Sequence, residues 1–268
     1  MTVTAAPAGD ADVARIAALI GDRARARVMM TLLDGRALPA GVLAAEAGVA
    51  ASTISAHLAR LVDAELLTAE RQGRARYFRL AGSSVAEALE AIARISPPEP
   101  IRSLRQGTQA HALRRARTCY NHLAGRLGVT VMAGLLERGI LTGGDGQHHA
   151  ESAGRDRLSA PGSDLTYGLT PAGRRELTGF GLDLAAVERQ RPALRYCLDW
   201  SEQRHHLAGP LGTALTSRLL DLDWIRRGTQ PRTVLLTEAG LDGLHGAFGV
   251  PEDWEQEPTA HPHRAVPR

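Results

Sequence analysis

The chain has two thiols, Cys119 and Cys197, and each has histidine close by in sequence. Cys119 precedes His122 by three positions, and Cys197 precedes the pair His205 and His206. A thiolate beside an imidazole suits a soft metal ion or a redox-sensing pair. The spacing predicts that Cys119 and His122 share one helix face and that Cys197, His205 and His206 follow one another along a second helix. The plainer alternative is that each cysteine is a small buried core residue. That alternative is preferred, because in the internal repeat described below Cys119 falls opposite Gln203 and not opposite Cys197. No C-x-x-C pair occurs, and thiols in the cytosol stay reduced. The expectation is therefore no metal site, no cofactor and no disulfide. His148-His149 and His261-x-His263 read as incidental.

Aromatic residues form only 4% of the chain, so their positions are informative. Tyr120 adjoins Cys119, and Tyr196 and Trp200 stand four residues apart, which predicts one helix face. Core packing is the default for such residues. The sharper possibility is a pocket for an organic effector, contacted by Cys119, Tyr120, His122, Tyr196, Cys197, Trp200 and His206, with Arg117 or Arg195 available to an anionic group.

A second set of residues suits nucleic acid. Ser52, Thr53, Ser55, Ala56, His57 and Arg60 lie on one side of a helix predicted from Ala51 to about Ala64, and Ile54, Leu58, Leu61 and Val62 on the other. Small hydroxyl side chains allow close approach to a groove and bond phosphates or base edges. Arg71, Gln72, Arg74 and Arg76 follow within six residues, around a hairpin with its turn at Gln72-Gly73. Guanidinium groups there suit phosphate or minor-groove contacts. The alternative is a solvated arginine-rich surface.

These residues need a scaffold. Helical periodicity covers 12–33 with a break at Gly21-Asp22, where Asp22 caps the second helix. Pro39 opens a short helix ending at Gly48. After the helix from Ala51 come strands at 66–70 and 75–80 and a helix from about Ser83 to Ile95. Ser96-Pro97-Pro98-Glu99-Pro100 cannot continue a helix and marks a boundary. This order of elements is a winged helix-turn-helix, whose second helix enters the major groove.

The stretches Ala18 to Arg27, Leu43-Ala44-Ala45-Glu46-Ala47-Gly48, Ser52-Thr53-Ile54-Ser55-Ala56-His57-Leu58 and Arg74 to Leu80 resemble the ArsR/SmtB family of bacterial repressors. The resemblance covers about the first third of the chain. It implies a homodimer joined through the first and last helices of this unit, binding double-stranded DNA at a palindromic operator, with repression relieved by a signal. Many relatives sense metals through Cys-x-Cys on the short helix before the recognition helix. Here Pro39 to Gly48 carries neither Cys nor His, and the helix from Ser83 lacks the Asp/His/Glu spacing of the other common site.

The chain has 268 residues, enough for two modest domains. All 32 basic residues are arginine and the net charge is only +3, so where the arginines fall matters more than their number. No apolar run reaches the roughly 18 residues of a membrane span, and the first ten residues lack the pattern of a secretory signal. A cytoplasmic protein with no membrane role is expected. No G-x-G-x-x-G after a strand, P-loop, G-x-S-x-G or H-E-x-x-H occurs, so no catalytic residues are expected.

Beyond residue 100 a near-repeat appears. Asn121-His122-Leu123-Ala124-Gly125 matches His205-His206-Leu207-Ala208-Gly209, and Leu169-Thr170-Pro171-Ala172-Gly173 matches Leu236-Thr237-Glu238-Ala239-Gly240. Leu177 and Leu244 each lie four residues after the last glycine. Each copy reads as helix, glycine break, helix, strand or hairpin, helix, with an exposed loop expected at about 143–164. The expected fold is mostly α with short β-hairpins (α+β), an N-terminal winged helix-turn-helix followed by two repeated helix-hairpin modules. The expected segments are a tail at 1–11, the DNA-binding domain at 12–96, a linker at 97–110, a sensing and dimerisation domain at 111–250 with copies at about 111–184 and 190–250, and a tail at 251–268. A small-molecule pocket between the copies would supply the signal that the first domain lacks.

Overall fold

A computed structural model of the chain describes residues 10–97, 99–148 and 166–256. Most of the loop expected at 143–164 lies outside these residues, as do His149, His261 and His263. The described residues fall into two compact units, divided between Val85 and Ala86. That division precedes the boundary expected at Ser96 to Pro100.

The N-terminal unit runs α1 (Val13–Ile20), α2 (Arg23–Thr31), a short 3-10 turn, β1 (Leu38–Pro39), α3 (Ala40–Ala47), α4 (Ala51–Asp63), β2 (Leu67–Gln72) and β3 (Ala75–Leu80). Asp22 caps α2 by accepting from the Arg25 amide at 2.9 Å. Gly48 ends α3 in the left-handed region (φ 70°), a conformation that glycine adopts without strain. The three strands form one antiparallel sheet in the order β1-β3-β2. The register pairs Gln72 with Ala75, which puts the two-residue turn at Gly73-Arg74, one position beyond the expected turn. Gly73 takes φ 61° there, as tight hairpin turns require. Pro39 is the N-cap of α3, one position before the expected first helical residue, and it also pairs with Tyr77 at the sheet edge, where its missing N–H costs nothing. The core is formed by Val28, Met29, Leu32, Ile54, Leu58 and Leu61 with Phe78 beneath the sheet. Helix α1 contributes no buried residue, although Val13, Ile16 and Ile20 lie at helical spacing along it.

Helix α5 (Ser83–Ile95) begins in the last residues of this unit and continues in the next. The C-terminal unit then runs α6 (Leu104–Arg115), β4 (Arg117–Cys119), β5 (His122–Ala124), α7 (Gly125–Glu137), β6 (Leu141–Thr142), β7 (Gly168–Leu169), α8 (Pro171–Gly179), α9 (Leu184–Arg189), β8 (Arg195–Leu198), β9 (His205–Ala208), α10 (Gly209–Asp221), β10 (Ile225–Arg227), β11 (Val234–Leu236) and α11 (Glu238–Phe248). Two features depart from the expected segments. Helix α6 occupies half of the expected linker, because Ser103 caps it through the Gln106 amide. The expected tail from 251 is structured through Gln256, because Trp254 is buried in the core and the Arg115 guanidinium stacks over its ring.

Both copies have the order hairpin, helix, strand pair, helix. The helices expected to carry the cysteines are the hairpins β4-β5 and β8-β9. Short alternating segments of this kind fit either period, and here β pairing prevails. The Leu-Thr-x-Ala-Gly matches have one physical cause. Thr170 and Thr237 each cap a helix by accepting from the amide of Gly173 or Gly240 at 2.9 Å. Both threonine hydroxyls also donate to the carbonyl at the end of the preceding helix, of Gly139 and Asp223 respectively. A Cβ at Gly173 would lie 2.1 Å from the Ile140 carbonyl, and one at Gly240 would lie 2.0 Å from that of Trp224. Only glycine allows the helix to approach so closely.

The two copies pack reciprocally. Gly128 on α7 lies against His206 of β9, and Gly212 on α10 lies against His122 of β5. One apolar core runs through both, including Leu127, Val131, Leu135, Leu211, Leu215 and Leu219.

Candidate functional site

In the N-terminal unit, the face of α4 opposite its core residues is open. Ser52, Thr53, Ser55, Ala56 and Arg60 are exposed, while Ile54, Leu58 and Leu61 are buried. The α4 N-terminus has no side-chain cap, since Ala50 occupies the N-cap position, so its first amides point outward unbonded by any side chain. Arg71, Gln72, Arg74 and Arg76 are exposed on the hairpin, and Arg76 sits over the Phe78 ring at 5.2 Å. His57 differs from its neighbours. Its side chain is 15% exposed, and Nδ1 lies 3.4 Å from the Arg25 guanidinium and 3.9 Å from Asp22. Arg25 itself donates to the carbonyls of Leu19 and Ala18. His57 therefore ties α4 to the junction of α1 and α2.

In the C-terminal unit the structure brings four of the predicted effector residues together. Cys119 pairs across β4-β5 with His122, and Cys197 pairs across β8-β9 with His206. One potential ligand atom from each of the four lies within 4.8 Å of all the others, and all four residues are buried. The cysteines are thus equivalent, which corrects the alignment of Cys119 with Gln203. Two residues separate Cys119 from His122 and eight separate Cys197 from His206, so an alignment without a gap slips past the match. The signal was present as a repeated Arg-x-Cys, at Arg117-Thr118-Cys119 and Arg195-Tyr196-Cys197.

The remaining predicted residues are distributed differently. Side chains alternate along a strand, so Tyr196 faces away from Cys197 and packs edge-on to Tyr167 at 5.4 Å and beside His205 at 4.2 Å. Tyr120 forms the β4-β5 turn with φ 59°. Trp200 lies in the longer hairpin loop, where Arg117 stacks on its ring at 4.5 Å. Arg117 is not available to an anionic effector, and Arg195 has an exposed carboxylate neighbour. Arg117 is fully buried and paired with Asp199 at 3.0 Å, and Arg195 lies 3.5 Å from Glu87. The cavity between the copies, lined by Leu123, Gly128, Leu207 and Gly212 among others, holds about 10 Å³. That is room for one water at most, so the expected organic pocket is not found there among the described residues.

Asp199 was not anticipated, and it organises the site. Its Oδ2 accepts from Arg117 and from the Gly125 amide at 2.7 Å, while Oδ1 accepts from Ser201 and Glu202. The same Oδ2 lies 3.3 Å from His206 Nδ1, close enough for an ion pair but without the alignment of a hydrogen bond. Burial alone would raise the Asp199 pKa, but Arg117 and then His206 hold it well below the usual carboxylate value. Burial likewise opposes charge on His206, and the Asp199 carboxylate and Cys119 together outweigh it, raising the pKa to about 9. Cys119 is pushed up to about 12, first by its hydrogen bond with Cys197 and then by burial. A thiol held so far from ionisation is a poor redox nucleophile. A second buried pair, Arg232 with Glu90 of α5, adjoins the cluster, because the Thr118 amide donates to the Arg232 carbonyl at 2.8 Å.

Comparison with known proteins gives a consistent picture. The family described as bacterial regulatory protein, arsR family, matches residues 22–69. The HTH-type transcriptional regulator YdfF of Bacillus subtilis (strain 168) is 36% identical over 230 residues, covering 85% of this chain and 93% of YdfF. The HTH-type transcriptional regulator CmtR of Mycobacterium bovis is 36% identical over 83 residues, or 31% of this chain and 70% of CmtR. Among solved structures, the homodimeric winged helix-turn-helix domain of Mb0332 from Mycobacterium bovis is 28% identical, with a TM-score of 0.28, over 32% of this chain and 86% of that one. The cadmium metal-sensor CMTR from Mycobacterium tuberculosis is 32% identical, with a TM-score of 0.28, over 35% of this chain and all of that one.

Proposed function

The chain belongs to the arsR family of bacterial regulatory proteins and is a DNA-binding transcriptional regulator, and from that premise we propose that it acts as a homodimeric repressor whose hold on a palindromic operator is set by a signal received in the C-terminal unit. The observation that carries the reading is the division of α4 and its hairpin into a buried apolar side and an exposed side. The exposed side bears Ser52, Thr53, Ser55, Ala56 and Arg60 on the helix, with Arg71, Gln72, Arg74 and Arg76 on the wing. The helix reads base edges in the major groove. The wing arginines and the uncapped α4 N-terminus hold phosphates.

Dimerisation is supported by α1, where Val13 is exposed and Ile16 and Ile20 are only partly buried among the described residues, and by Ile92 and Ile95, which leave apolar surface at the end of α5. A two-fold dimer presents two recognition helices to half-sites about one helical turn apart, hence the palindrome. The signal belongs in the C-terminal unit because the α3 positions used for metals by many relatives carry no Cys or His. The homologues are regulators, and no catalytic role is proposed.

Footprinting on the DNA upstream of the chain's own gene, with competitor DNA present, tests this. A protected palindrome is expected; uniform binding to random DNA at the same affinity would defeat it. Sedimentation of the free protein should give a dimer.

A further inference from the structure

We propose that Cys119, His122, Cys197 and His206 form a tetrahedral site for one d10 divalent cation, zinc or cadmium, shared between the two repeat copies, and that this ion is the signal the regulator reads. The second half of the proposal rests on the repressor reading above; the first half does not.

Four observations carry it. The donor set is S2N2, which suits zinc-like ions in tetrahedral coordination. The four potential ligand atoms already lie within 4.8 Å of one another, while the donors of a tetrahedral zinc site, about 2.0–2.3 Å from the ion, stand roughly 3.3–3.8 Å apart. Only a small contraction is needed. Second, Nε2 of His122 and Nε2 of His206 are buried without a hydrogen-bond partner, although the residues are 6% and 1% exposed. Buried polar atoms are otherwise satisfied.

Third, the other nitrogen of each ring is already directed. His206 Nδ1 faces Asp199 at 3.3 Å, and His122 Nδ1 faces the Asn121 side-chain oxygen at 3.4 Å. An oxygen behind Nδ1 favours a proton on that nitrogen and leaves Nε2 to a metal, through an electrostatic contact at His206 and a hydrogen-bond distance at His122. Fourth, the site is symmetric in origin and closed. Each hairpin gives one Cys and one His, and Gly128 and Gly212 leave room for the opposing histidine. With four protein ligands and no open position the ion is bound without catalysing. Binding releases the protons of both thiols and the extra proton of the His206 imidazolium, since only thiolates and neutral imidazoles coordinate. The ion would fix the two hairpins against each other. Next to Cys119, Thr118 is bonded to Arg232, which holds Glu90 on α5.

The test uses the full chain, stripped by chelator under reductant and titrated with Co2+ as an optical probe. The expected result is one tetrahedral sulfur-ligated Co2+ per chain, displaced by Zn2+ and by Cd2+. Cys119→Ser and Cys197→Ser should each weaken binding by more than the ~10–100-fold that loss of an outer partner costs. Asn121→Ala, an exposed change that spares the fold, should weaken it by about 10-fold. Absence of a tetrahedral spectrum in the reduced wild-type chain, or full binding in both serine variants, overturns the site. Should the serine variants not fold, wild-type melting decides: Zn2+ must raise Tm, and no rise overturns the site. Operator affinity is then measured with and without Zn2+ or Cd2+. A change of tenfold or more supports the signalling role. Bound metal with unchanged affinity defeats that role and leaves the repressor reading intact. Metal binding with no specific DNA binding at any metal level defeats the repressor reading and leaves the site intact.

Discussion

Asp199 and Arg117 form an ion pair at 3.0 Å in which both side chains are completely buried, and they come from different repeat copies. Asp199 lies in the loop of the second hairpin, and Arg117 on the first strand of the first. Removing one member of such a pair leaves an uncompensated charge and costs about 3–5 kcal/mol. Asp199→Ala should therefore destabilise the C-terminal unit by about that much. All three tryptophans lie in this unit, so urea unfolding followed by their fluorescence reports on it selectively. A loss below about 1 kcal/mol would show that the pair is dispensable.

The wing and the recognition helix should fail in different ways. On the proposed DNA-binding reading, Arg74→Ala removes a phosphate contact. It should weaken binding to all DNA sequences alike and reduce the salt slope of log K by about 1. Titration at several salt concentrations reads both.

Ser52, Thr53 and Ser55 face outward on α4. Alanine at Ser52 or Thr53 should change which bases are preferred, by about 1–3 kcal/mol at the affected position. Selection from a randomised operator library shows this as relaxed positions in the logo. His57→Ala should instead lower the stability of the N-terminal unit and leave the preferred sequence as it was, because His57 is turned towards Arg25 and Asp22.

Gly173→Ala and Gly240→Ala should destabilise alike, by about 1–3 kcal/mol, because each Cβ would meet a backbone carbonyl near 2 Å. Gly179→Ala, with nothing within 4 Å, is the control in the same unit. Equal melting of all three variants would show that the close approach is not needed.

Glu90 supplies a pH dependence. Burial works most strongly against its charge, but Arg232, Arg117 and His206 together outweigh it, and its pKa lies below the ordinary 4.5. A carboxylate with a lowered folded pKa adds stability above its unfolded value, and that stability is lost as pH falls through the folded value. Fluorescence-monitored stability should thus decline from about pH 5 to pH 3 in the wild type. Glu90→Gln should start lower at pH 7 and decline less over that window. Parallel slopes would remove Glu90 from the acid limb.

The N-terminal unit was largely legible from sequence because its signals are local: the Asp22 cap, the Gly48 stop, the periodicity of Ile54, Leu58 and Leu61, and the hairpin arginines. The two-residue β1 escaped notice because its pairing with Tyr77 and Phe78 is a tertiary contact. The repeat was legible through Thr170, Gly173, Thr237 and Gly240, where cap and close packing demand particular residues. The Cys/His cluster was not, for two reasons. Its segments are too short to separate strand from helix by period, and six additional residues in the second hairpin hide the match between Cys119 and Cys197. His57 looked like a base-reading residue because periodicity reports a face and not what a neighbouring helix places against it. Among the described residues the space between the copies is small because Gly128 and Gly212 bring α7 and α10 close to the opposing hairpins.

The unequal hairpin loops carry a consequence for how this half of the chain can evolve. In the proposed site a single copy supplies only half a coordination sphere, so loss of any one of Cys119, His122, Cys197 and His206 disables both halves. The longer loop has placed a carboxylate behind one imidazole while the other retains an amide, so two inherited halves that share their donors have become electrically unlike.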